Sequence, residues 1–459
     1  MENIVQLIDE IITTGIKEHY KNLVNDHQDI SQFILATKDD LDEVGRMIIQ
    51  YVLEALDEAV RETPGRSLEW YIQERSKPNT LATLFGEVHY ERTYYKSVEG
   101  KGYCSLSDEL VGIEAHDKMD LSLRSKLVEL AEDDPYRKSG KGASNAIELS
   151  GQTVMNAIRW LGPVKNELKA PAEKRKAEYI FIEADEDHVA MPDGRCGEPK
   201  LIYIHEGVEE VSKDRVKLKH PVYFGGMYSE SDELWAEVEE YIDITYDRSR
   251  IKKIYLSGDR GGWIRKGPEW IQGSEYVVDK FHLLKNIREA GGHIEGACSK
   301  IWNAIKWRDR EYLEVVLDTI YDDPRSSGKN LVDSFRYIRD SFEDTRAYQD
   351  EAYNGCSAEG HISHVYSDRL SSRPYVWRNT GLDEMARLRV AVNNGVDIYS
   401  EMLKEKRRRK VEVHWDKVDQ MILKKRMLAA SGEMTHNIPV LNIGEVNNSF
   451  KLMKEIRGI

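Results

Sequence analysis

Apolar residues recur at intervals of three and four through the first 75 or so positions. Ile4, Ile8, Ile11 and Ile12, then Leu41, Val44, Met47, Ile48, Val52 and Leu56, mark one face of successive helices. The pattern then changes. Thr83-Leu-Phe-Gly-Glu-Val-His-Tyr-Glu-Arg-Thr-Tyr-Tyr alternates and is rich in β-branched and aromatic residues, which predicts a hairpin or small sheet within 80–104. Helical spacing returns over Leu121–Ala131, Tyr136–Ile147 and Gln152–Leu161. The last two are read as joined by a tight Glu148-Leu-Ser-Gly151 connection, with Ser150 placed to cap the third helix. Three short helices with such a turn outline a helix-turn-helix module, and its last helix would turn Gln152, Thr153, Asn156 and Arg159 toward a DNA groove. An ordinary helical bundle with a polar outer face is the plainer alternative.

Lys165–Lys176, charged and interrupted by Pro171, reads as a linker. Beyond it, apolar runs at Tyr179–Ala184, Lys200–Ile204 and Val216–Phe224 predict strands. Amphipathic Glu233–Ile244 predicts a crossover helix, and Ile254–Ser257 a strand ending at Asp259. This order indicates a mixed α/β sheet. Residues 280–350, and those from about 384 onward, return to helical spacing.

The apolar runs end in acids. Tyr179-Ile-Phe-Ile182 leads into Glu183, Asp185 and Asp187, Ile254-Tyr-Leu-Ser-Gly into Asp259, and Val277-Val278 into Asp279-Lys-Phe-His282. Carboxylates at the ends of neighbouring strands are how a protein holds Mg²⁺, a hard cation that prefers oxygen ligands. Two such ions about 3.5–4 Å apart suit phosphodiester chemistry. On the strand, Glu183 and Asp187 compete with Asp185, since alternation puts all three on one face. Downstream, Glu359 opens a helical stretch with Ile362, Val365 and Tyr366 at core spacing, and Arg369 would lie near the same face, within approach of a phosphate. His361 and His364 fall off that face and read as surface or structural residues.

At 459 residues, 40% of them hydrophobic and with nine Trp and 24 Tyr, the chain has material for several cores. No apolar run approaches the roughly 20 residues of a membrane span, and the N-terminus shows no secretory pattern. Cys104, Cys196, Cys298 and Cys356 are scattered without metal-binding spacing, which suits a reducing cytoplasm. The net charge of −15 opposes contact with nucleic acid, but it is unevenly spread. Residues 1–60 hold 13 acidic and four basic side chains, whereas Arg137–Lys141 (with Lys138), Lys174–Lys176 and Lys404–Lys410 are basic islands. Phosphate binding depends on such local patches.

In combination these motifs are specific. Thr83-Leu-Phe-Gly-Glu-Val, Ile182-Glu-Ala-Asp-Glu-Asp-His-Val189, Ser257-Gly-Asp-Arg-Gly-Gly-Trp-Ile264, Asp279-Lys-Phe-His-Leu283 and Glu359 through Arg369-Leu-Ser-Ser-Arg-Pro-Tyr-Val-Trp377 resemble a bacterial insertion-sequence transposase of the ISLre type. That type is related to the Mutator-like group with an Asp-Asp-Glu active site. The resemblance spans roughly residues 80–390. Taken with the helical patterns at either end of the chain, it implies a multidomain α/β protein: an acidic helical region (1–78), a β segment with helix-turn-helix (79–165), a ribonuclease-H-like mixed sheet (178–280), a helical insertion (281–354), and a catalytic helix with a helical C-terminus (355–459). It implies Asp185, Asp259 and Glu359 as catalytic ligands of two Mg²⁺ or Mn²⁺ ions, with Asp279, His282 and Arg369 in support. Gln152, Thr153, Asn156, Arg159, Lys138 and Lys141 would contact DNA. The partners implied are double-stranded DNA, as element ends and as target, and a second copy of the chain in a dimer. A ribonuclease-H-like nuclease without strand transfer, and a DNA-binding protein derived from a transposase, are the alternatives.

Overall fold

The computed structural model describes residues 2–25, 29–63, 66–100, 102–166, 170–212, 215–326 and 328–409. The expected C-terminal helical region beyond 409, and Lys410 of the basic run, lie outside the described residues. The chain divides into two compact units, Met1–Tyr399 and Ser400–Ile459. In the second, the described residues 400–409 are helical.

The first unit opens with two long helices, α1 (Glu2–Asn25) and α2 (Ile30–Glu62). Asp29 caps α2 by accepting the Ser31 N–H at 2.8 Å. Strand β1 (Trp70–Thr83) pairs antiparallel with β2 (Gly86–Ser97), so strand structure begins about ten residues before the alternation in sequence announces it. The first half of β1 contributes no buried residue, and cross-strand pairing rather than burial holds it extended. The hairpin leans on α2 through Asp57, which accepts from the Thr93 N–H at 2.9 Å and the Ser107 hydroxyl at 2.8 Å.

Helices α3 (Leu121–Asp133), α4 (Tyr136–Gly142) and α5 (Gly151–Leu161) follow. The Ser150 cap is present, with its hydroxyl accepting the Thr153 N–H at 3.1 Å. The connection before it is not tight, however. Helix α4 stops at Gly142, and residues 143–150 fold back so that the Leu149 N–H reaches the Gly140 carbonyl at 3.0 Å. Gly140 permits this approach, because a Cβ there would stand 2.1 Å from the Leu149 oxygen.

The central sheet has five strands: β3 (Tyr179–Glu186), β4 (Lys200–His205), β5 (Val222–Gly226), β6 (Lys253–Gly258) and β7 (Ser274–Val278). Their spatial order is β5-β4-β3-β6-β7; β6 runs parallel to both β3 and β7, and β4 antiparallel to β3 and β5. The single strand expected over 216–224 is two, Arg215–Leu218 in a separate ribbon and β5, because the chain turns at His220 (φ 52°) before Pro221. The crossover helix α6 (Ser231–Thr245) buries Trp235, Val238 and Ile242 against Ile180, Ile182, Ala184 and Leu256 on one face of the sheet.

Four helices leave the end of β7: α7 (Lys280–Gly291), α8 (Ala297–Trp307), α9 (Arg310–Tyr321) and α10 (Lys329–Ser341). They share a core that includes Leu283, Ile301, Leu317 and Phe335. A 3₁₀ segment, Glu343–Gln349, brings the chain back under the other sheet face, where Ala347 packs with Phe181, Tyr255 and Val277. Helix α11 (Ala358–Ile362) continues through a π turn (Ser363–Ser367) into Asp368–Leu370, and α12 (Asn379–Asn393) lies along β5. Among the described residues no helix is long and apolar enough to cross a membrane. The chain is thus a multidomain α/β protein built of helices and mixed sheets.

Candidate functional site

Strand register decides which acids meet. Gly258 pairs with Ala184 on β3 and with Val278 on β7, so the next residue of each strand, Asp185, Asp259 and Asp279, falls on the same rung. The ladder continues there, since the Asp279 N–H donates to the Gly258 carbonyl at 2.8 Å. Adjacent strands lie about 4.8 Å apart, which sets three carboxylates side by side at the ends of parallel strands.

Each is held differently. Asp185 is buried and accepts only the N–H of Glu186 at 2.9 Å. Burial, and then repulsion from Asp259, push its carboxyl up to about 7 against the opposing backbone hydrogen bond. Half-buried Asp259 accepts the Gly261 N–H at 2.7 Å, while the Tyr276 hydroxyl donates to its carbonyl at 2.7 Å. No Lys or Arg among the described residues pairs with either acid. Asp279 caps α7, accepting from the Phe281 N–H, and meets His282 Nδ1 at 2.8 Å. That hydrogen bond raises the His282 pKa; burial opposes the rise, and the negative charges of Asp279, Asp185 and Asp259 add to it.

The competing acids, Glu183 on β3 and Asp187 just beyond it, are already engaged. Fully buried Glu183 accepts from the Tyr203 hydroxyl, from His205 Nε2 at 2.9 Å and from the Ser357 N–H at 2.5 Å. Burial would push its carboxyl up, but these hydrogen bonds hold it below the usual range. Asp187 accepts from the Ser367 and Ser371 hydroxyls at 3.0 and 2.8 Å. Asp185 alone is left without a partner side chain.

Glu359 stands exposed on the first turn of α11, two residues after the Ser357 that Glu183 grips. The helix is therefore fastened to the strand that carries Asp185. Even so, no group of three or more His, Cys, Asp or Glu among the described residues is gathered closely enough to hold a metal ion. The structure brings together Asp185, Asp259, Asp279 and His282; Glu359 does not complete a trio with them. Arg369, expected on the face of Glu359, is instead 4% exposed, its Nε donating to the Ala131 carbonyl at 3.0 Å. It is caged by the rings of Tyr136 and Trp377 at 5.3 and 5.0 Å. The π turn breaks the 3.6-residue phase on which the shared face depended, and Arg369 becomes a strut of the fold.

In the helical module Gln152, Asn156 and Arg159 are exposed at intervals of four and three along α5, and Gln152 Nε2 donates to Asn156 Oδ1 at 3.0 Å. Thr153 is half-buried at the cap. Lys138 and Lys141 are exposed but pair with Asp134 and Glu148 at 2.8 and 3.0 Å. Arg389 of α12 anchors the end of α3, meeting Glu132 Oε1 at 2.6 Å and donating to the Val365 carbonyl at 2.6 Å.

Residues 23–407 match the family described as "Uncharacterised protein family (UPF0236)". The chain belongs to that family. It is 36% identical to "UPF0236 protein TTE2489" of Caldanaerobacter subterraneus subsp. tengcongensis over 466 residues, covering 100% of the chain and 98% of the relative. It is 28% identical to "UPF0236 protein in vanSb 3'region" of Streptococcus gallolyticus over 349 residues, 71% of the chain and 75% of that relative.

Two residues of this UPF0236 member support the site in ways that its sequence does not announce. One is Glu183, read from the sequence only as a rival to Asp185. The other is Arg260, next to Asp259, whose Nη1 meets Asp344 Oδ2 at 2.6 Å and donates to the Asp340 carbonyl at 2.7 Å. It ties the Asp259 turn to the far end of the helices that follow β7, a contact across some 80 residues that no local pattern announces.

Proposed function

We propose that the chain is a metal-dependent DNA transposase that cleaves element ends and joins a 3′-hydroxyl to target DNA. The observation that carries this reading is the Asp185–Asp259 pair, with two carboxylates on one rung, no basic partner, and one carboxyl pushed up to about 7 by burial and by its neighbour. Such a pair suits a hard divalent cation, which would relieve both costs at once. Asp185 and Asp259 would hold Mg²⁺ or Mn²⁺, and Glu359 would join them once DNA and metal are bound. Ions there would sharpen an attacking water or 3′-hydroxyl and steady the leaving oxygen. Asp279 fixes the His282 ring beside the pair, and Gln152, Asn156 and Arg159 offer a polar helix face to a DNA groove. A strand order of β5-β4-β3-β6-β7, with acids ending β3 and β6, also suits a ribonuclease-H-like sheet. The names of two relatives join four and eleven numbered designations, as one sequence present in several copies of a mobile element would.

The test uses purified protein, Mg²⁺ or Mn²⁺, and labelled DNA from the ends of its own coding region, with Asp259→Ala and Arg159→Ala in parallel. Nicking and strand joining are expected, abolished by Asp259→Ala. Arg159→Ala should weaken end binding and reduce the salt slope by about 1. Hydrolysis without joining would replace the transposase by a nuclease; end binding without cleavage in any protein would remove the enzymatic reading.

A further inference from the structure

We propose that the outer face of α7, continued across Lys280 onto α8, is a track along which an unpaired nucleic-acid strand reaches Asp185 and Asp259. What happens at its end rests on the reading of those acids given above; the track itself is read from other residues. Helix α7 leaves the rung of acids directly, since Asp279 is both the third carboxylate of that rung and the cap of the helix. At about 100° per residue, Phe281, Leu284, Lys285 and Arg288 share one side of α7, opposite the buried Leu283, Ile287 and Ala290. All four are exposed, Phe281 at 53%. The Phe281 ring stands edge-on to that of His282 at 5.3 Å, and His282 in turn meets Asp279. Lys280, on the flank of this row, extends over the Trp302 ring at 5.3 Å, and Lys306 follows Trp302 by one turn on α8.

Charge marks this surface off from the rest of the chain. Residues 280–307 hold five basic side chains, Lys280, Lys285, Arg288, Lys300 and Lys306, against Glu289 and Glu295, a balance of +3 where the whole chain carries −15. All five are exposed, and none has an ion pair with an acid among the described residues. Arg308, Arg325 and Arg339, farther along the same helices, each hold one. Cations in a row without carboxylate partners suit phosphates, which they meet without first giving up another contact. The exposed phenyl ring selects the kind of strand. A paired base keeps its faces inside the duplex stack, whereas an unpaired base lies on an aromatic ring and leaves its phosphate to a neighbouring cation. From Phe281 to Arg288 the row spans about 10 Å, room for up to three nucleotides at the roughly 3.4 Å rise of a stacked strand.

Fluorescence anisotropy of the full chain with an oligothymidine of about 20 nucleotides, in EDTA so that no bond is cut, tests this. Phe281→Ala should weaken single-strand binding roughly tenfold and change binding of a blunt duplex little. Phe281→Tyr should restore it, and Phe281→Leu, apolar but without a π face, should not. Lys285→Ala/Arg288→Ala should lower the salt slope by about 1.4, the sum of two phosphate contacts. Wild-type affinity in Phe281→Ala or Phe281→Leu, with unchanged circular dichroism, would overturn the track, as would binding of polyglutamate as tight as that of the oligonucleotide. Strand binding as expected here, in a protein that cuts nothing when Mg²⁺ is added, would count against the catalytic reading and not against the track.

Discussion

Glu183 and Asp185 share one face of β3, and Asp187 follows just past its end, yet their surroundings separate them. Glu183 and Asp187 each accept hydrogen bonds from the segment that carries Glu359 and act as fasteners for it. Asp185 faces another carboxylate, and its raised pKa has a consequence for stability. In the unfolded chain this carboxyl titrates near 4, and in the fold at about 7, so its favourable contribution is present at low pH and is lost as pH rises through 7. Asp185→Asn should therefore stabilise the metal-free protein at pH 8, by about 2–4 kcal/mol on a scale of roughly 1.4 kcal/mol per pKa unit, and much less at pH 4. Thermal melts of both proteins at the two pH values measure this. An equal effect at both would mean that the Asp185 charge is not strained.

Among elements, those with a strong local period were legible in advance. Helix α6, the Ser150 cap and the strands ending at Asp185 and Asp259 follow from apolar spacing and one capping hydroxyl. The misses occurred where distant contacts overruled local pattern. Helix α4 ends early because Gly140 admits the Leu149 loop, β1 starts early because β2 pairs with its unburied half, and the π turn rotates Arg369 into an aromatic cage. The helical module is not a loose appendage, since Arg389 reaches from α12 to the end of α3. Its guanidinium and the Glu132 carboxylate are both buried, and burial pushes Glu132 up to about 7 despite the pairing. Arg389→Ala leaves that acid without its partner and should cost about 3–5 kcal/mol in urea unfolding. A loss below 1 kcal/mol would show that the pair is dispensable to the docking of α3.

At the scale of the molecule, the helices that follow β7 and the sheet act on one another. Their return segment hydrogen-bonds the strands from below, through Tyr348 to the Val278 carbonyl at 2.8 Å and Tyr353 to Ser257 at 3.0 Å, while Arg260 grips it from the Asp259 turn. The acids thus stand on a support from both sides, and a cation should be read out as stability of the whole unit. Millimolar Mn²⁺ is expected to raise the melting temperature of the wild type at pH 8 and to leave Asp185→Asn/Asp259→Ala unchanged. An identical shift in both proteins would place the cation elsewhere.

The amino-acid order alone determined the helices, the core strands and the acids at their ends, because these follow from periods of 3.6 and 2 and from short-range turn chemistry. It also narrowed the strand acids to Glu183, Asp185 and Asp187. Tertiary structure decided what those acids are free to do. Register places Asp185, Asp259 and Asp279 on one rung; donors from residues 20 to about 180 positions away occupy Glu183 and Asp187 and leave Asp185 unpaired; and the π turn removes Arg369 from the site. A carboxylate's charge is written in the chain, but its partners are chosen by which distant segments fold against it.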